Sequence, residues 1–70
     1  MKENKQRILH FLLAAIQATE KGQDLLDLTI SEDSGIVTAE FEGGRLSQVE
    51  IEDDSGWEMI RDIANYLNVG

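Results

Sequence analysis

Residues 36–52 read IVTAEFEGGRLSQVEIE, and this stretch decides the fold. Before the glycine pair, Val37, Ala39 and Phe41 alternate with Thr38, Glu40 and Glu42; after it, Val49 and Ile51 alternate with Gln48, Glu50 and Glu52. A period of two marks two strands, each with one apolar and one polar face. The turn between them is constrained by those faces. A two-residue Gly43-Gly44 loop would set Ala39 and Val37 against Gln48 and Glu50, mixing polar and apolar side chains on both sides of the sheet. A three-residue loop shifts the register by one and lines up Phe41, Ala39 and Val37 with Ser47, Val49 and Ile51. Because a one-residue slip exchanges the two faces of a strand, the odd loop, with a glycine in the left-handed region, is the consistent solution.

Working outward, residues 24–32 alternate too, with Leu26, Leu28 and Ile30 expected toward the core and Asp27, Thr29 and Ser31 away from it. An even loop around Asp33-Ser34-Gly35 aligns Leu28 and Ile30 with Ala39 and Val37. Residues 3–21 predict a helix: Ile8, Leu12, Ala15, Ile16 and Thr19 recur at spacings of three and four, and Leu9, Phe11 and Leu13 widen the stripe. Glu3 and Arg7 make a favourable surface pair, and Gly22 is expected as a left-handed C-terminal cap. Residues 56–68 predict a second helix, opened by the capping box Ser55-Gly56-Trp57-Glu58 and favoured by Asp53 and Asp54 at its positive end. Its apolar stripe is Trp57, Ile60, Ala64 and Leu67, widened by Met59 and Ile63, with Trp57 as a core anchor. The order α-β-β-β-α gives an α+β fold: a two-layer sandwich in which a three-stranded antiparallel meander (strands 24–32, 36–42 and 46–52) carries both helices on one face. The 70 residues form a single domain.

Charge is unevenly spread along this chain. Residues 1–22 carry four basic and two acidic side chains, and residues 23–70 carry twelve acids against Arg45 and Arg61, so +2 and −10 sum to −8. Lys2, Lys5 and Arg7 precede an apolar run, but the run contains His10 and continues in helical register, which argues against a secretory signal. It is also too short to span a bilayer. The expectation is a soluble cytoplasmic protein with no membrane contact. No cysteine is present, which excludes disulfides and thiolate metal sites, and the single histidine leaves zinc without its usual donors.

The outer sheet face is the candidate site. It carries Asp27, Glu40, Glu42, Glu50 and Glu52, with Thr29, Thr38 and Gln48 between them. In the expected register Glu50 faces Thr38 and Glu52 faces Ile36, which avoids direct carboxylate pairs. Carboxylates about 5–7 Å apart on such a grid approach the spacing of phosphates along a nucleic-acid strand, so the face can compete for a basic, nucleic-acid-binding protein. A solvated face that keeps a small protein soluble explains the same residues. Leu25, Ile36 and Leu46 interrupt the acids; with Phe11 and Leu13 on the first helix they form the candidate self-association surface. A homodimer and a separate partner both remain open on these residues.

Other constellations are weaker. Glu50-x-Glu52-Asp53-Asp54 lacks the EF-hand spacing for a hard cation. Gly43-Gly44 joins two strands and opens no helix, unlike a phosphate loop. His10 has no serine, cysteine or carboxylate placed to orient it. No nucleophile–base pair emerges, so the reading is a non-enzyme without cofactor or metal. Direct nucleic-acid binding is disfavoured by the negative charge. The favoured reading is a small acidic interaction module that engages a basic protein partner by charge mimicry, a regulator or inhibitor of the type phages and mobile elements encode. The alternative is a homo-oligomeric assembly protein with no polyanion mimicry.

Overall fold

The computed structural model describes residues 4–31 and 33–67 and has the order α-β-β-β-α. Helix α1 spans Lys5–Gln17, strand β1 Leu25–Ser31, β2 Ile36–Phe41, β3 Leu46–Glu50, and helix α2 Gly56–Leu67. The sheet is an antiparallel meander with β2 in the middle. Leu9 and Ile16 from α1 and Met59 and Ile63 from α2 join Leu25, Leu28, Val37, Ala39, Phe41, Val49 and Ile51 in one core, so both helices cover the same face. Burying each large aliphatic side chain contributes about 1.5–3 kcal/mol.

Helix α1 begins where Asn4 Oδ1 accepts from the Arg7 amide at 3.0 Å. The expected Glu3–Arg7 pair involves Glu3, which lies outside the described residues. The helix ends earlier than residue 21 because Thr19 closes it: its hydroxyl donates to the Ile16 carbonyl at 2.7 Å and accepts from the Gly22 amide at 3.0 Å. Thr19 is thus a terminator, not part of the apolar stripe, and Gly22 is not a left-handed cap. It is buried against the helix end, where a Cβ would collide with the carbonyl oxygen and Cγ2 of Ile16.

The first hairpin has the even loop, four residues between Ser31 and Ile36, and it aligns Leu28 with Ala39 and Ile30 with Val37. The second has the odd loop. Glu42–Gly44 forms one short turn with Gly43 and Gly44 at φ 85° and 84°, a region open to glycine. Its register is shifted by two from the expected one, pairing Val37 with Val49 and Ala39 with Ser47, and its three-residue loop is centred on Gly43 instead of Gly44. A two-residue shift keeps every side chain on its face, so the alternation is satisfied by either register; the turn geometry selects the observed one.

Two expectations about individual side chains are reversed. Leu25 is buried at 1% exposure and Leu26 is 49% exposed, because the pairing skips a residue between Leu25 and Asp27. This bulge turns Leu25 into the core and removes it from the self-association surface. The Gln17 amide nitrogen donates to the Leu25 carbonyl at 2.9 Å. Trp57 is 77% exposed and is no core anchor. Two apolar lines one residue apart run along α2, and the line through Gly56, Met59 and Ile63 is the one that joins the sheet core.

Candidate functional site

The outer face of the sheet is a nine-residue grid set by the two registers. Asp27, Glu40 and Leu46 form one row; Thr29, Thr38 and Gln48 the middle row; Ser31, Ile36 and Glu50 the third. Three of the five expected acids therefore lie on the sheet itself, at its two ends. Glu42 belongs to the loop, and Glu52 follows β3, where its Cα and Cβ approach Gly35. All five acids are exposed.

The arrangement of these acids matters chemically. Asp27 faces Glu40 directly, a like-charged pair that the expected alignment of Leu28 with Ala39 already implies and that the avoidance of pairs at Glu50 and Glu52 did not cover. Asp27 Oδ1 accepts from the Leu28 amide at 2.9 Å, which supplies its carboxylate with a local donor. Glu50 faces Ile36, and Thr38 faces Gln48. The neutral Thr-Thr-Gln row separates the Asp27–Glu40 pair from Glu50 by four positions along the strands, about 13 Å. The acids form two separate ends in place of an evenly spaced row.

No basic side chain belongs to the grid. Arg45 is held beyond its end, 3.2 Å from Asp24 Oδ2 and with its guanidinium 4.3 Å from the Phe41 ring centre. Lys5 reaches the Ile51 carbonyl at 3.4 Å on the helix side. Among the apolar candidates, Leu46 is 61% exposed on the grid, Ile36 is half-buried there, and Phe11 is 60% exposed on α1. Leu13 is half-buried against the core. The structure brings Leu46 and Ile36 onto one face but leaves Phe11 and Leu13 on a different layer.

Leu13 also borders a groove of about 350 Å³ between α1 and β1, floored by Leu9, Leu28 and Ile30 and rimmed by Gln6, His10, Asp27 and Thr29. His10 makes an edge contact with Phe11, ring centres 5.5 Å apart. At the entry to α2 the capping box forms as read: the Ser55 amide donates to Glu58 Oε1 at 3.0 Å, and Ser55 Oγ accepts from the Glu58 amide at 3.2 Å. The Ser55 amide and hydroxyl hold the Glu58 carboxyl below its ordinary pKa. The Asp54 carboxyl is held above its own by a hydrogen bond with Asp62, by partial burial and by the charges of Asp62 and Glu58; Lys5 opposes the shift. Among the described residues, no three histidine or carboxylate side chains converge as a metal site, and no helix is long and apolar enough to cross a membrane.

No protein-family model, curated protein or solved structure matches the chain.

Proposed function

We propose that this protein is a small acidic interaction module whose outer sheet face and rim engage a basic protein partner. The observation that carries the reading is one of sign: Asp27, Glu40 and Glu50 lie on a nine-residue face with no basic member, and Glu42 and Glu52 extend it at either end. A surface of one sign raises the local concentration of an oppositely charged partner and accelerates encounter. The sharper form of the proposal is competition with a polyanion for a nucleic-acid-binding protein. Its contacts fall at the two acidic ends of the face, with the Thr29-Thr38-Gln48 row between them.

The test is affinity capture from the native host with the wild-type chain and with Glu40, Glu42, Glu50 and Glu52 all changed to Gln. A partner bound through this face is released by rising salt and is lost by the quadruple variant. A partner that the quadruple variant retains at high salt removes the reading. Displacement of that partner by a nucleic acid supports the polyanion form; simultaneous binding of both rules that form out.

A further inference from the structure

The two edges of the sheet are finished differently. In this ladder Phe41 donates to the Arg45 carbonyl at 2.9 Å and Ile51 to the Gly35 carbonyl at 2.8 Å, so the odd-numbered residues of β2 and β3 bond each other. Thr38, paired with Thr29, therefore turns its backbone toward β1, and Leu28 and Ile30 turn theirs outward. On that β1 edge, Asp27 Oδ1 takes up the Leu28 amide and Gln17 takes up the Leu25 carbonyl, and a bulge interrupts the strand. These are the devices by which natural sheets protect an edge. On the β3 edge the outward residues are Leu46, Gln48 and Glu50. Among the described residues, nothing takes up their amide or carbonyl groups.

We propose that β3 pairs antiparallel with β3 of a second copy of this chain, joining the two three-stranded sheets into one. The inference is independent of the acidic-partner reading. Self-complementarity identifies the occupant. With the two-fold axis at Gln48, Gln48 faces the partner's Gln48, Leu46 faces the partner's Glu50, and Glu50 faces the partner's Leu46. All three outward residues are then paired, each pair exchanging two N–H···O bonds. Moving the axis to Ser47 or Val49 leaves one of the three without an outward partner in the opposing β3. Moving it to Glu50 sets two glutamates opposite each other, which is repulsive. In the Gln48 register Glu52 falls opposite the partner's Gly44, so no carboxylate faces another across the seam. The exposed Leu46 side chain gains a neighbour, the aliphatic stem of the partner's Glu50. Each copy carries a net charge of −8, so added salt tightens this contact, opposite to its effect on a basic partner.

The absence of cysteine allows a clean test. Sedimentation of the 70-residue chain at high micromolar concentration should give twice the monomer mass, with the dimer fraction rising with salt. Gln48→Cys should form a disulfide-linked dimer, since Cα atoms of a hydrogen-bonded antiparallel pair lie about 5.5 Å apart, within disulfide reach. Thr38→Cys, on the same face but on the central strand, should oxidise far more slowly. Gln48→Glu should abolish the dimer while leaving the circular dichroism spectrum unchanged. In the wild type, the Leu46, Gln48 and Glu50 amides should exchange with solvent more slowly as concentration rises. A monomer at every salt concentration overturns the proposal. So does a dimer in which Gln48→Cys oxidises no faster than Thr38→Cys, because its seam lies elsewhere. Partner capture is read in a separate experiment with the opposite salt dependence, so either idea can fail alone.

Discussion

Asp54 shows how a residue's place in sequence and its place in the fold give opposite energetics. Ahead of a helix N-terminus a carboxylate is ordinarily favourable, and the sequence places Asp53 and Asp54 there. In the fold, Asp54 Oδ2 is buried, and a hydrogen bond with Asp62, the partial burial and the Asp62 and Glu58 charges together raise the carboxyl pKa. A raised carboxyl pKa means that the folded chain holds the proton more tightly than the unfolded chain does. The stability this confers is complete below the ordinary carboxylate range and is lost as pH rises through the raised folded value. Asp54→Asn, which resembles the protonated form, should therefore melt at a higher temperature than the wild type at neutral pH. The difference should shrink toward zero as pH falls below the carboxylate range, a trend that thermal melts across pH would read directly. Glu58 works in the opposite sense: its lowered pKa contributes stability above its ordinary value that is lost as pH falls. The Ser55–Glu58 capping box was legible because it is a local motif. The Asp54–Asp62 encounter was not, because it depends on how the chain approaches the helix.

At the scale of elements, two apolar lines compete on α2 and packing settles which is buried. Met59 and Ile63 are fully buried, whereas Trp57 is largely exposed. Ile63→Ala should cost about 2–5 kcal/mol, a transfer term plus a cavity. Trp57→Ala should change stability by no more than about 0.5 kcal/mol, despite removing the largest side chain in the protein. Urea denaturation of both variants, followed by far-ultraviolet circular dichroism, would check the order; a larger loss for Trp57→Ala would mean that the buried line has been misassigned. The same scale explains the edge of β1. Period-two alternation carried straight through residues 24–32 places Leu26 inward, but the bulge after Leu25 resets the phase, and Leu25 takes the core position. A bulge leaves no mark on alternation until the partner strand is in place.

At the scale of the whole molecule, charge and size act together. A 70-residue chain with a net charge of −8 buries only about 60% of its unfolded surface, and its stability is expected near 0.05–0.15 kcal/mol per residue. Self-repulsion takes a share of that margin, because the described ion pairs, Arg45–Asp24 and Arg61–Asp62, are both exposed. Raising sodium chloride from low to near-molar concentration should therefore raise the melting temperature. Made at high dilution of the protein, this measurement isolates screening within one chain. A melting temperature that falls with salt would mean that the exposed pairs outweigh the repulsion.

The order of elements, the parity of both hairpin loops, the apolar face of the sheet and the cap of the second helix all follow from local alternation, periodicity and turn chemistry. These signals operate over a few residues and need no partner from elsewhere in the chain. The two-residue shift in the second hairpin's register, the bulge at Leu25 and the rotation of α2 were decided only in three dimensions. Each is a choice between arrangements that satisfy the same local pattern equally well, and contacts between distant segments break the tie. The acidic sheet face shares this division: its sign is written along residues 27–52, but its division into two ends around a neutral row comes from how the three strands meet.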